Sequence, residues 1–251
     1  MPLSDTRLRF VAALLAALAL PAATARAASS ILIWPIDPVL EHDQRASALW
    51  LENRGAEPAQ LQLRIFAWSQ AGGEEHFQAQ REVVGSPPML RIPAGARQLV
   101  RLTRLAPTAP GSERAYRIVI DEIPAPQAQQ PAAEGSDIRF QLRYSVPLFL
   151  YGDGLGAKDA TAATAARLDW RLVDEGGRTY LEVRNRGAVH VRLTRAAIEQ
   201  GDGTLPVGDD LLGYVLAGSA MRWPMPRKPA SGGRLWAEIN GVRGEIPAAA
   251  P

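Results

Sequence analysis

Short segments of period-two alternation run from residue 31 to residue 150, and they constrain the fold more than any other feature of this chain. Apolar and polar residues alternate within each segment, and Gly, Pro, Asn or Asp separates one segment from the next. Such alternation places one face of a strand in a core and the other face in solvent. Because helical periodicity is nearly absent, we predict an all-β chain built as antiparallel sandwiches.

A second series of alternating segments follows the first. We predict strands at residues 31–36, 46–52, 60–68, 98–104 and 115–122, and then at 168–173, 180–185, 189–198, 212–216 and 234–240. Asn53-Arg54-Gly55 and Asn185-Arg186-Gly187 each end a strand of one series. This internal echo favours two copies of one architecture.

The segment from residue 138 to residue 150 is the longest alternating stretch. Ile138, Phe140, Leu142, Tyr144, Val146 and Leu148 alternate with Arg139, Gln141, Arg143 and Ser145. A strand of this length is long beside the usual five or six residues. It follows a Pro/Ala/Gln-rich stretch, residues 124–135, that has too few bulky apolar residues to form a core and is predicted to be a loop.

The N-terminus predicts export. Arg7 and Arg9 precede an apolar run at residues 10–20, and Ala25-Arg26-Ala27 fits a cleavage site. We therefore expect a cleaved signal peptide at 1–27, a first domain at 28–151, a linker at 152–166 and a second domain at 167–251. The chain has no cysteine, which excludes disulfides and thiolate chemistry. Without the leader, basic and acidic residues balance, so charge gives no support for a nucleic-acid partner.

Three stretches, taken in order and with their spacing, resemble a known family. They are Asn53-Arg54-Gly55-Ala56-Glu57-Pro58, residues 86–95 leading into 98–102, and Glu113-Arg114-Ala115-Tyr116-Arg117 continuing to 122–124. Together they are similar to the PapD-like periplasmic pilus chaperones, and the likeness extends over nearly all of the chain after the leader. Residues 65–68 and 144–149 resemble the archaic branch, which serves spore coat U type subunits.

The resemblance implies two immunoglobulin-like β-sandwich domains at an angle and a noncatalytic chaperone in the periplasm. Such a chaperone stabilises incomplete pilus subunits by donor-strand complementation and delivers them to an outer-membrane usher. The donor side chains expected from the resemblance are Ile138, Phe140, Leu142, Tyr144 and Val146. Pilus subunits and the usher are the expected partners, with no nucleic acid, no membrane insertion and no cofactor, and self-association would shield the free donor strand.

One family feature is missing from the sequence. The best-known branch binds the subunit's C-terminal carboxylate with a basic pair, and the corresponding positions here are Asp37 and Pro147. Neither residue binds a carboxylate by charge. Arg139 and Arg143, on the polar face of the donor strand, are the alternative candidates for this anchor. The family's matching positions further suggest Arg101, Glu113 and Glu122 as structural charges near the cleft between the domains.

Other functions have weaker support. A structural or adhesive immunoglobulin-like pilus component is the alternative, but it would carry a free donor extension at its N-terminus. His42, His76 and His190 are scattered along the chain, so we predict surface histidines and no metal site. No Gly-x-Ser-x-Gly motif is present, and we predict no enzymatic activity.

Overall fold

A computed structural model describes residues 30–123, 141–162, 167–201, 203–230 and 232–250. The predicted signal peptide lies outside these residues. The regular secondary structure of the described residues is almost entirely β-strand, and the strands form four sheets. Two sheets lie within residues 31–151 and two within residues 168–246, so the predicted all-β, two-sandwich fold is confirmed. The exact domain boundaries stay a prediction.

The N-terminal sandwich, residues 31–151, contains sheets 1 and 2. Sheet 1 has the spatial order β1 (Ile31–Trp34), β3 (Ala46–Asn53), β8 (Arg97–Arg104) and β6 (Val83–Ser86). Sheet 2 has the order β2 (Val39–Leu40), β10 (Arg143–Tyr151), β9 (Glu113–Glu122), β4 (Ala59–Ala71) and β5 (Glu74–Ala79), and β7 (Met89–Ile92) pairs with β4. Neighbouring strands are antiparallel, except that β2 runs parallel to β10.

The C-terminal sandwich, residues 168–246, contains sheets 3 and 4. Sheet 3 has the order β11 (Leu168–Glu175), β12 (Arg178–Asn185) and β16 (Ala220–Pro224). Sheet 4 has the order β14 (Gly203–Pro206), β13 (Val191–Gln200), β17 (Arg234–Ile239) and β18 (Val242–Ile246), and β15 (Leu211–Val215) pairs with β13. Each sandwich encloses its own apolar core.

Alternation in the sequence becomes alternation in burial. Tyr116, Ile118 and Ile120 of β9 are buried in the N-terminal core, whereas the residues between them face outward. Two tight turns are formed by glycine pairs, Gly72-Gly73 between β4 and β5 and Gly176-Gly177 between β11 and β12. Gly72 and Gly73 have positive φ angles of 65° and 86°. Glycine adopts two such angles in succession without strain, which favours a two-residue hairpin there.

The two Asn-Arg-Gly motifs form the same hydrogen-bond arrangement, one in each sandwich. In the N-terminal sandwich, Nδ2 of Asn53 donates to the carbonyl oxygens of Glu57 (2.8 Å) and Ile92 (3.0 Å), and its Oδ1 accepts from the N–H of Gly55 (2.9 Å). In the C-terminal sandwich, Asn185 bonds in the same way to Val189, Val215 and Gly187. Both asparagines are buried, and each ties the end of a strand to a distant segment.

The structure differs from the sequence predictions in three respects. First, the strand predicted at 138–150 is described as β10 from Arg143, and residues 138–140 lie outside the description. Second, a short helix, α1 (Ala157–Ala162), occupies part of the predicted linker, where Gly156 donates its N–H to Asp159 Oδ2 at 2.8 Å. Third, the prediction missed short strands that carry little alternation: β2, β5, β6, β7, β14, β16 and β18.

Candidate functional site

The outer edge of β10 is the first candidate binding surface. β10 pairs with β9 along its whole length, but β2 covers its other side only at Phe149 and Leu150. From Arg143 to Leu148, no strand of the described residues pairs with this outer side. An unpaired strand edge is a template for another chain.

The strand register determines which backbone N–H and C=O groups of β10 point away from β9. The N–H of Glu122 donates to the carbonyl oxygen of Leu142 at 3.0 Å, so Leu142 belongs to the set that bonds towards β9. Because bonding direction alternates along an antiparallel ladder, Arg143, Ser145 and Pro147 direct their backbone groups outward. Pro147 lacks an N–H and is tolerated there because it removes no bond from the β9 ladder.

The apolar face of β10 divides into two parts. Val146, Leu148 and Leu150 are buried in the core of the N-terminal sandwich. Tyr144 is half-buried against the same core, and its hydroxyl accepts the N–H of Ile31 in β1 at 3.2 Å. Leu142, just before the strand, is half-buried. The predicted donor residue Val146, only 6% exposed, therefore fills the protein's own core in this structure.

Of the predicted donor residues, Ile138 and Phe140 lie outside the described residues, as does the predicted anchor Arg139. Arg143 is described and already has a partner. Its Nε lies 2.5 Å from Oδ1 of Asp121, while Arg64 binds Oδ2 of the same carboxylate at 2.6 Å. Desolvation by itself would raise the pKa of Asp121, but the hydrogen bonds from Arg143 and Arg64 hold this pKa below its ordinary value.

The three predicted cleft charges lie in three different places. Glu113, at the start of β9, sits between the sandwiches, where its Oε1 accepts the N–H of His190 at 3.0 Å. Glu122 ends β9 at the opposite end, beside the beginning of β10. Arg101 is exposed on the outer face of sheet 1. That face is on the other side of the sandwich from the interface, so the structure does not bring Arg101 to the cleft.

A third apolar cluster joins the two sandwiches. Its buried members are Trp68, Phe149, Tyr151, Ala160, Val189 and Leu216. The His190 ring stacks on Phe149 with centroids 3.4 Å apart, and its Nδ1 lies 2.7 Å from Oε2 of Glu113. The expectation of a surface histidine is therefore wrong for His190, because long-range packing covers it.

A pocket of about 310 Å³ lies beside this cluster and takes its walls from both sandwiches. The lining residues are Asp37, Val39, Phe149, Tyr151, Ala157, Ala160, His190, Arg192, Tyr214 and Asn240. Arg192 is half-buried and lies directly opposite Tyr214 in the ladder between β13 and β15. Within the described part of the chain, no carboxylate forms an ion pair with Arg192.

Two further features concern the residues that line this pocket. Asn240 accepts the backbone N–H of Arg192 (2.8 Å) and donates to the carbonyl of Ala160 (2.7 Å), which ties β13 to α1. Burial raises the pKa of the Tyr214 hydroxyl, although Arg192 and Arg117 oppose this shift, so the hydroxyl stays protonated at neutral pH. The sequence analysis missed Arg192, because an Arg in an alternating strand looks like any solvent-facing position.

Comparison with known proteins identifies the family. A family model described as "Pili and flagellar-assembly chaperone, PapD N-terminal domain" matches residues 37–155. The chain is similar to the chaperone in the CsuC–CsuE chaperone–tip adhesion subunit pre-assembly complex from archaic chaperone-usher Csu pili of Acinetobacter baumannii. Identity is 31%, the TM-score is 0.72, and the alignment covers 88% of this chain and 100% of that chain. The chain belongs to the PapD-like family of pilus-assembly chaperones.

More distant PapD-like chaperones share the fold. The Pseudomonas aeruginosa CupB2 chaperone is 18% identical with a TM-score of 0.60, covering 87% of this chain and 100% of that one. A chain of the Salmonella enterica SafA pilin complex with the SafB chaperone is 18% identical with a TM-score of 0.57, covering 86% and 92%. A comparison with curated proteins found no match. The predicted family and its archaic affinity are confirmed.

Two features are absent from the described residues. None of the helices there is both long and apolar enough to cross a membrane. No group of three or more His, Cys, Asp or Glu side chains in that part of the chain is arranged to hold a metal ion.

Proposed function

We propose that this PapD-like chaperone acts in the periplasm, where it stabilises incomplete pilus subunits by donor-strand complementation and passes them to an outer-membrane usher. The observation that carries the proposal is the outer edge of β10 between Arg143 and Leu148, with which no strand in the described part of the chain pairs. The CsuC–CsuE complex, a chaperone with a tip subunit, supports a pilus subunit as the partner.

The proposed mechanism follows from what an incomplete sandwich lacks. A subunit without its last strand exposes a row of unpaired backbone groups and an apolar groove, and both promote aggregation. An added strand satisfies the backbone groups, and its alternate side chains fill the groove. The outward backbone groups of Arg143, Ser145 and Pro147 provide the start of such a pairing.

The donor side chains in this proposal are Ile138, Phe140 and Leu142. They share the parity of Tyr144 and Val146, which turn towards the chaperone's own core. On this face, the side chains after Tyr144 therefore pack in the chaperone's own core, whereas those before it are proposed to contact the subunit. Contact of Val146 with a subunit stays a prediction that requires the core to open.

A two-variant comparison tests the proposal. Phe140→Asp would bury an unpaired carboxylate in the subunit's groove, which costs several kcal/mol even after relaxation, so stable complexes should be lost. Gln141→Asp adds the same charge on the neighbouring position of opposite parity and should retain binding. Both variants are purified with subunit, and complex formation is measured by size-exclusion chromatography. Equal binding by the two variants would reject this donor register.

We further propose Arg192 as an anchor for the subunit's C-terminal carboxylate. It supplies a cation in a pocket where Asp37 occupies the position of the family's basic residue. Arg143, by contrast, shares Asp121 with Arg64 and would have to give up part of that pairing. Arg139 and Arg143 stay alternative predictions.

The anchor is tested with a subunit whose C-terminus is either free or amidated. Arg192→Ala should weaken binding of the free-acid subunit by about 1.5 to 3 kcal/mol, the usual value of a charge-assisted hydrogen bond. It should leave the amidated subunit unaffected. Arg143→Ala is the matched variant, and a selective loss in that variant instead would transfer the anchor to Arg143.

A further inference from the structure

The tip of the β4–β5 hairpin reaches out of the N-terminal sandwich and bonds to the C-terminal one. The Gln70 side chain is buried at this contact. Its Nε2 donates to the carbonyl oxygen of Tyr214 at 2.9 Å, and its Oε1 accepts the N–H of Leu216 at 2.8 Å. One amide group thus bonds to the backbone at both ends of Val215, as a neighbouring strand would.

The turn that follows continues the contact through backbone atoms. Gly73 forms a parallel bridge with Met221, and its carbonyl oxygen accepts the N–H of Arg222 at 3.1 Å. A Cβ on Gly73 would lie 2.5 Å from Cγ of Arg222. The close approach therefore requires glycine here, in addition to its φ of 86°.

Aromatic contacts connect the same hairpin to the interdomain pocket. The Trp68 ring meets Tyr214 edge-on at 5.6 Å, and the Arg117 guanidinium lies 3.7 Å from the Trp68 ring centroid and 5.4 Å from that of Tyr214. Arg117 is held in turn by Glu75 of β5 at 3.3 Å. Tyr214 lies opposite Arg192 in the ladder between β15 and β13, and both residues line the pocket, so the contacts of Gln70 continue through Tyr214 to Arg192.

We infer that Gln70 is a positioning residue: it sets the orientation of the C-terminal sandwich against the N-terminal one and, through Tyr214, the place of the Arg192 guanidinium. Hydrogen bonds are directional, whereas apolar packing alone allows two surfaces to slide. The paired bonds of Gln70, together with those between Glu113 and His190, therefore restrict the angle between the two sandwiches, whereas the apolar cluster holds the two surfaces in contact. The part that concerns Arg192 rests on the proposed function.

The orientation is measured on the chaperone alone. Because the chain has no cysteine, cysteines introduced at exposed Arg91 of β7 and exposed Val242 of β18 are unique sites for spin labels. In the parent protein, pulsed electron paramagnetic resonance should give a narrow distribution of distances between the two spin labels. Gln70→Met keeps the length of the side chain and removes both hydrogen bonds, so the distribution should broaden or shift. Gln98→Met, the same change at an exposed glutamine whose amide donates only to its neighbour Leu99, is the control.

Gly73→Ala gives an independent perturbation of the same contact and should broaden the distribution as well. If Gln70→Met does not yield folded protein, Gly73→Ala decides the question. Distributions that stay as narrow as the parent's in the folded variants overturn the inference.

A binding ratio separates positioning from a general loss of stability. The affinity for free-acid subunit relative to amidated subunit should fall roughly tenfold in Gln70→Met, since a displaced Arg192 loses one charge-assisted contact. A merely destabilised chaperone would weaken both forms alike and leave the ratio unchanged, which would overturn the link to Arg192. If none of the variants, including Phe140→Asp, affects subunit binding, the proposed function is wrong. The spin-label distances still test whether Gln70 sets the orientation of the two sandwiches.

Discussion

Removal of the Asn53 side chain should destabilise the N-terminal sandwich far more than its small size suggests. Asn53 is fully buried and makes three hydrogen bonds to backbone groups at 2.8 to 3.0 Å. Asn53→Ala leaves the carbonyl oxygens of Glu57 and Ile92 and the N–H of Gly55 without these partners. A buried unsatisfied group costs roughly 1–3 kcal/mol, so we expect a loss of about 3 kcal/mol or more.

Urea unfolding followed by fluorescence measures this loss, with hydrogen exchange at the Gly55 amide as a local readout. The control is Arg54→Ala, which removes an exposed ion pair with Glu52 and should cost less than about 1 kcal/mol. Asn185→Ala should reproduce the effect in the C-terminal sandwich, because its three bonds have the same pattern. A loss below about 1 kcal/mol for both asparagines would refute the reasoning, since water would then be replacing the bonds at little cost.

Two further predictions concern β10 and its neighbour. Val146→Asp should strongly lower the thermal unfolding midpoint of the isolated chaperone, because it places a carboxylate in the core. Ser145→Asp, on the exposed face, should change the midpoint little. Equal midpoints of the two variants in differential scanning fluorimetry would contradict the assignment of Val146 to the buried face. The pKa of Asp121 is lowered in the folded protein, so this carboxylate stabilises the fold above its ordinary pKa of 3.8, and that contribution is lost as pH falls below this value through the folded pKa. Asp121→Asn should therefore flatten the dependence of unfolding free energy on pH in this acid range, and an unchanged slope would argue against the Arg64–Asp121–Arg143 network.

Much of the fold was open to prediction because it depends on local pattern. Period two along β9 predicts which side chains face the core, and glycine pairs predict the hairpin turns at Gly72-Gly73 and Gly176-Gly177, where all four φ angles are positive. The family motifs are local as well, and they predicted the PapD-like fold. Strands such as β5, whose residues are all exposed, escaped prediction because no alternation marks them.

The candidate site was predictable only in part. Alternation from Ile138 to Leu148 shows that these side chains share one face, but it does not show what that face packs against. The point at which β10 stops filling its own core, near Tyr144, depends on contact with β1, more than a hundred residues away in sequence. Arg143 looked available from its polar neighbours, and only the folded sheet brings Asp121 and Arg64 to it.

The sequence by itself determined the longer alternating strands, which of their side chains share a face, and the family, because each of these is encoded in residues a few positions apart. Only the tertiary structure decided which edge of β10 stays unpaired, how Gln70 meets the strand end at Tyr214 and Leu216, and why Arg192 faces a pocket. The hydrogen bonds of Tyr144 and Gln70 join residues that are 113 to 146 positions apart in the sequence. A period of two fixes the face on which a side chain lies but not the partner across that face, and partners are chosen by packing and hydrogen bonding in the folded chain.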